Sequence, residues 1–213
     1  MKIVIADYKL GNMFSVRQAL LNIGADCSIS YDGDEIRKAD AIVLPGVGAF
    51  KDAMNNLTTS GVGDAVKEAV NAGKPFLGIC LGLQLLLTES EEFGASKGLN
   101  LIPGKVIRFN NFDNEGNTVR VPQIGWNTIE DAGYISWAET PLKHLKQGEY
   151  MYFVHSFFVV PDNPIVAVTK TSYGNTTYTS CIQHENIFAC QFHPEKSAAK
   201  GLTIYENWIK SIK

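Results

Sequence analysis

The stretch KPFLGICLGLQLLL, Lys74 to Leu87, constrains the fold more than any other part of the chain. A short apolar run ends at Gly78-Ile79-Cys80-Leu81-Gly82 and passes at once into an amphipathic helical pattern. A strand that feeds a helix through G-x-C-x-G is the sulfur counterpart of the nucleophile elbow, where the side chain between the glycines is held out at the end of a sheet. The two glycines are expected to permit the sharp turn. A cysteine at a helix N-terminus also lies at the positive end of the macrodipole, which favours the attacking thiolate. A randomly chosen cysteine is more often a small buried hydrophobe. Glycines at both i−2 and i+2 on a strand-to-helix turn reverse those odds and make Cys80 a nucleophile.

The surrounding pattern fits such a turn. KIVIAD reads as a first strand, and Asn12 can cap a helix in which Phe14, Ala19, Leu20 and Ile23 recur at helical spacing. Cys27 to Tyr31 reads as a second strand, and Asp40 to Leu44 as a third that stops at Pro45-Gly46. A helix over Val62 to Asn71 ends near Gly73, and Phe76 to Cys80 is the elbow strand. Continuous apolar strands separated by helices predict a parallel sheet covered on both faces. The second half changes character. Lys105 to Phe109, Thr118 to Val121, Tyr150 to Val154, Ile165 to Thr169, Thr177 to Gln183 and Ile187 to Gln191 are strand-like with little helix between them. They predict antiparallel strands that extend the parallel core. A last helix covers about Gly201 to Ile212, and the polar Asn110 to Asn117 forms a hairpin tip.

Composition narrows the class of function. The chain has 213 residues, enough for one domain, 1–213, with a substantial core. Its net charge of −3 and its lack of a basic cluster argue against nucleic acid as a partner. No apolar run approaches the ~20 residues that span a bilayer, and MKIVIADY does not read as a signal peptide. The four cysteines, Cys27, Cys80, Cys181 and Cys190, show no CxxC pair, so no metal site and no disulfide framework is expected. These points favour a reducing cytoplasm.

A cysteine nucleophile needs a base, and the base needs a group that fixes its tautomer. Of His144, His155, His184 and His193, the last lies in Gln191-Phe192-His193-Pro194-Glu195 at the end of an apolar strand. Loops at the carboxyl ends of parallel strands gather at one rim, where the elbow also sits. Pro194 turns the chain there and lets Glu195 return to the imidazole, giving the order Cys80, His193, Glu195. Acyl chemistry also needs donors for the developing oxyanion. Leu44 to Phe50, LPGVGAF, follows the third strand and can bring backbone N–H groups close, with the amide of Leu81 as a further donor. It lacks the lysine and hydroxyl residue of a phosphate loop.

PGVGAF, GICLGLQLL and QFHPEKS together resemble the class I (triad) glutamine amidotransferases, a flavodoxin-like α/β family with a mostly parallel sheet extended by antiparallel strands. Further stretches, Val121 to Asn127 (VPQIGWN), Tyr152 to Phe157 (YFVHSF), Ser90 to Gly94 and Leu101 to Lys105, resemble the glutaminase subunits of imidazole glycerol phosphate synthase in histidine biosynthesis. The resemblance runs from Ile3 to the last helix. Glutaminases of anthranilate or GMP synthesis usually carry a histidine one residue after the second elbow glycine, where this chain has Leu83. The resemblance implies that Cys80 attacks the carboxamide of L-glutamine and that His193, oriented by Glu195, moves the protons. Gly46, Val47 and Gly48 match the oxyanion strand, whose peptide needs reorientation before it donates. Gln84, Glu92, His155, Ser156 and Phe157 match the glutamine pocket, with Phe157 standing where some relatives have tyrosine. Any of Glu89, Glu91 and Glu92 can instead be a solvated helix end.

The resemblance further implies a heterodimer with a (β/α)8-barrel cyclase that consumes the ammonia, and no cofactor. Trp126, Tyr152 and Lys196 match the face toward that partner, although a tryptophan is as often a core residue. Three alternatives stay open on sequence alone. They are a paralogous glutaminase feeding another synthase, a free-standing γ-glutamyl cysteine hydrolase, and a binding module that has lost catalysis.

Overall fold

The computed structural model describes residues 1–212. In chain order the elements are β1 (Ile3–Ala6), α1 (Met13–Asn22), β2 (Cys27–Ser30), α2 (Gly33–Lys38), β3 (Ala41–Gly46), α3 (Phe50–Ser60), α4 (Val62–Asn71), β4 (Phe76–Cys80) and α5 (Leu81–Gln84). They continue as β5 (Leu87–Ser90), β6 (Ser96–Lys97), β7 (Ile102–Arg108), β8 (Gln123–Asp131), β9 (Glu149–His155), β10 (Phe157–Pro161), β11 (Ala167–Tyr173), β12 (Thr176–His184), β13 (Ile187–Cys190) and α6 (Ala198–Ser211). The sheet runs β2-β1-β3-β4-β13-β12-β10-β7-β5-β6, with β11, β8 and β9 branching from β12. β2, β1, β3, β4 and β13 are mutually parallel. From β13 outward the pairing is antiparallel through β12, β10 and β7. The expected α/β architecture, a flavodoxin-like parallel core with an antiparallel extension, is what forms.

The central parallel strands β1, β3 and β4 are apolar end to end because both faces are covered, and every one of their residues is buried. Asn12 caps α1 as expected, its side chain accepting from Ser15 N–H. The α1 pattern is shifted, however. Met13, Val16, Ala19 and Leu20 face the core while Phe14 is exposed. The third strand does not stop at Pro45-Gly46 but pairs with β4 through both residues, as Pro45↔Ile79 and Gly46↔Cys80. Pro45 is accommodated because it opens no gap in a parallel ladder that ends one residue later.

Two sequence expectations fail outright. The amphipathic helix after the elbow is a single turn, Leu81–Gln84, and Leu81 through Leu87 are all buried. A segment apolar on every side cannot sit as a surface helix, and it gives way to β5. Thr118 to Val121 forms no strand. It contributes one bridge, Phe112↔Thr118, beside the Asn110–Asn117 turn. The strand lies just beyond it, in β8.

Candidate active site

Cys80 ends β4 with φ 55° and ψ −109°, a conformation that L-residues rarely adopt. The strain sits on the cysteine itself, and the glycines serve a different purpose. A Cβ on Gly82 would lie 1.8 Å from the Leu44 carbonyl oxygen, and one on Gly78 would lie 3.2 Å from the Gly82 carbonyl. Gly82 is bare so that the elbow can press against β3, and Gly78 so that the turn can fold back over its own strand beside Ala189 of β13. With only one helical turn behind it, the elbow offers Cys80 little macrodipole, so activation must come from neighbouring side chains.

Those neighbours arrive from the last parallel strand. β13 lies beside β4, with Cys190 opposite Ile79, so the chain leaving β13 passes the carboxyl end of β4. His193 is buried there. Its Nδ1 is 2.7 Å from Glu195 Oε1, and its Nε2 has no hydrogen-bond partner among the described residues. Both side chains of the pair are nearly inaccessible. Burial opposes the imidazolium, but the Cys80 sulfur and the Glu195 carboxylate outweigh it and push the His193 pKa up to about 10. The Glu195 carboxylate also receives the Tyr205 hydroxyl, 3.5 Å from Oε2.

Of the other histidines, His155 has both ring nitrogens engaged, Nδ1 with the Phe157 carbonyl at 2.8 Å and Nε2 with the Tyr178 hydroxyl at 3.2 Å. Burial lowers its pKa to about 4, so it is neutral at pH 7. His184 pairs with Ile187 at the start of β13, at the opposite end of the sheet from Cys80.

Cys80 opens into a cavity of about 390 Å³ whose wall includes Val47, Gly48, Leu81, Gln84, Glu92, Pro122, Val154, His155, Ser156, Phe157 and Lys196. Gly46 sits just behind this wall, closed in by Tyr8 and Leu81. Gly48 has φ 99°, which favours glycine. Glu92 is not a helix end. It follows β5, and its Oε2 accepts from the Phe50 N–H at the start of α3, 2.7 Å away. Burial raises its pKa against that hydrogen bond. Gln84 donates to the Phe157 carbonyl at 2.9 Å and to Gln191 Oε1 at 3.0 Å. The cavity therefore offers one carboxylate, several backbone groups and a thiol, which suits a small polar molecule with an amide and an amino group.

A model of the class I glutamine amidotransferase family matches residues 4–211. The imidazole glycerol phosphate synthase subunit HisH of Syntrophotalea carbinolica is 44% identical over 207 residues, covering 97% of this chain and 98% of that protein. The HisH subunit of Nostoc punctiforme is 42% identical, covering 99% of this chain and 96% of that one. The chain belongs to the class I glutamine amidotransferases, within the HisH family. Among solved structures, PurLQS of Thermotoga maritima superposes with a TM-score of 0.71 at 17% identity, covering 100% of this chain and 99% of that one. A GMP synthase subunit of Thermoplasma acidophilum gives 0.69 at 19%, covering 99% and 92%. At those identities the likeness concerns the fold.

In this HisH-family chain Trp126 is not a core residue. It is 53% exposed on β8 and meets Tyr152 of β9 edge to face, with ring centroids 6.1 Å apart. The Lys196 ammonium lies 5.7 Å above the Tyr152 ring, so the three residues form one continuous surface. Two polar residues near the amidotransferase thiol escape sequence reasoning. Gln191 is fully buried, and its Nε2 lies 3.6 Å from Cys80 Sγ. Its place in QFHPEKS, two residues before His193, was the available signal. Ser197, the last residue of QFHPEKS, accepts from Tyr152 N–H at 3.0 Å and donates to the His193 carbonyl at 2.6 Å, contacts that the motif itself does not reveal. All four cysteines are unpaired, and no helix among the described residues is long and apolar enough to cross a membrane.

Proposed function

We propose that this chain is the glutaminase subunit of an imidazole glycerol phosphate synthase. In this reading residues 1–213 form one amidotransferase domain, which works in the cytoplasm without a cofactor. The observation that carries the reading is the buried His193–Glu195 pair beside a thiol that opens into a cavity of about 390 Å³ lined by Gln84 and Glu92. The Cys80 thiolate attacks the side-chain carboxamide carbon of L-glutamine, and the carbonyl oxygen becomes an oxyanion. His193 gives its Nε2 proton to the amide nitrogen, the C–N bond breaks, and ammonia leaves a γ-glutamyl thioester. A water then loses a proton to His193 as its oxygen attacks the thioester, and glutamate departs with the sulfur restored. Glu195 holds the imidazole tautomer throughout.

Backbone N–H groups of Val47, Gly48 and Leu81 stabilise the oxyanion, with Gly46 setting the approach. Gln84, Glu92, His155, Ser156 and Phe157 hold the substrate, Glu92 meeting the α-ammonium with its remaining oxygen. The ammonia passes to a (β/α)8-barrel cyclase docked on the Trp126, Tyr152 and Lys196 surface, and the cyclase forms imidazole glycerol phosphate. Ammonia released to water at neutral pH becomes ammonium and loses its lone pair, so a direct hand-over suits the chemistry. The test is glutamine hydrolysis by the chain alone, with a co-purified barrel partner, and with the cyclase ligand added. A large rise with partner and ligand is expected. Equal turnover by the lone chain would indicate a free-standing hydrolase.

A further inference from the structure

One polar group close to the elbow has no task in the reaction above. Tyr8 follows β1 and is fully buried, and its hydroxyl has no hydrogen-bond partner among the described residues. A buried hydroxyl without a partner is destabilising, and native folds rarely keep one without reason. This hydroxyl lies against Gly46, where a Cβ would sit 2.1 Å from the phenolic oxygen. Gly46 is in turn the β3 residue paired with Cys80. Burial raises the Tyr8 pKa far above the usual phenol range, and the charges of Cys80 and Asp7 raise it further. The hydroxyl is thus a neutral donor within electrostatic reach of the nucleophile.

Its side of the segment matters. Val47 and Gly48 border the glutamine cavity, and Tyr8 does not. Tyr8 borders a separate hollow with Asp7, Lys9 and Tyr31. The peptide joining Gly46 to Val47 thus links the residue packed against the phenol to a residue that borders the cavity. In a planar trans peptide the C=O and N–H point to opposite sides. Turning the Gly46 carbonyl toward Tyr8 turns the Val47 N–H away from Tyr8, leaving it free for the cavity that Val47 borders.

We propose that Tyr8 is a positioning residue of the oxyanion segment. As the oxyanion develops, its hydroxyl donates to the Gly46 carbonyl and so holds the Val47 N–H on the developing charge. This rests on the glutaminase reading above. The bond is absent in the resting chain and formed as charge develops, so it acts on turnover and not on substrate capture.

Tyr8→Phe in the complex with the barrel cyclase tests the assignment. The change keeps the ring and removes only the hydroxyl. Expected are a kcat lower by about tenfold to a hundredfold, short of the roughly 10²–10³ for outright loss of an oxyanion donor, and a KM within about twofold of wild type. The Tm should stay level or rise, because an unpaired hydroxyl has gone. Alkylation of Cys80 by iodoacetamide needs the thiolate but forms no oxyanion, so its pH midpoint should not move. Fluorotyrosine at position 8, a stronger donor of nearly the same shape, should keep kcat at or above wild type. A lower Tm with unchanged kcat would make Tyr8 a packing residue and overturn the assignment. A displaced alkylation midpoint would overturn it in favour of a bond to the sulfur. Wild-type kinetics in Tyr8→Phe would overturn it while leaving the glutaminase reading intact. A wild-type complex inert toward glutamine would overturn both.

Discussion

β3 and β4 are buried along their whole length, whereas β8 fully buries only Gln123 and Ile129. The first pair carries the nucleophile and the oxyanion segment, and the second region carries the surface assigned to the partner. In the parallel half the tolerances are those of backbone against backbone, as Gly82 on Leu44 illustrates. In the antiparallel half they are those of side chains on an open face. Geometry that must not vary is thus built from strands covered on both sides. Contacts that must form and break are built at a sheet margin.

The sharpest way to break this comparison is to remove the thiol. Cys80→Ser should lower glutamine hydrolysis by about 10⁴-fold or more while leaving circular dichroism and partner binding unchanged. An electrophilic glutamine analogue should label Cys80. Labelling at Cys27, Cys181 or Cys190 would move the chemistry out of the elbow altogether.

His193→Ala should approach that loss, and Glu195→Gln should retain roughly 10–100 times more activity, because the imidazole remains but is poorly held. Equal and negligible effects would mean that the base lies elsewhere. The same pair gives a pH signature. His193 is raised in the fold from 6.5 to about 10. Its stabilising contribution is therefore complete below about 6.5 and is lost as pH rises toward about 10. Cys80→Ser removes the sulfur that raises it, so in that variant the His193 imidazole should titrate at lower pH by NMR.

Glycine substitutions sharpen the contrast in tolerance. Gly82→Ala should cost about 1–3 kcal/mol or more, since its Cβ would meet backbone. Gly125→Ala, on β8 with φ 129° and open space around it, should cost less, on the order of 1 kcal/mol from the dihedral alone. Urea denaturation of both decides the order, and a reversed order would sink the distinction between the halves. The smallest effect is expected at the margin itself. Lys196→Met should lower stability by only ~0.5–1 kcal/mol, the worth of an exposed cation–π contact such as the one it makes with Tyr152, as read by the same denaturation.

In the parallel half β1, β3 and β4 were legible as uninterrupted apolar runs and α1 and α4 by their ends, whereas α2 and α3 went unread. Asn12 and the helix over Val62–Asn71 are found where the pattern puts them. The errors share a physical cause. Phe14, Ile124 and Trp126 are apolar residues on the outside, so they shift the apparent phase of α1 and hide β8 behind a reversed alternation. Leu81 to Leu87 erred the other way, being buried on all sides in a way periodicity cannot separate from a helix face. The residues brought around Cys80 could be proposed from motifs. Gln191 and Ser197 stand within QFHPEKS, but their contacts, like that of Tyr8, depend on which strands become neighbours and could not be read from the motif.

β13 is nearly the last element made, yet it is inserted beside β4 in the middle of the sheet. Gln191 and Cys80, now in contact, are 111 positions apart in sequence. A growing polypeptide on the ribosome therefore carries its thiol for more than half of synthesis before any base can reach it. Contacts so distant in sequence form late and slowly. On the glutaminase reading, a chain cut before β13 lacks both His193 and Glu195 and should not turn over glutamine.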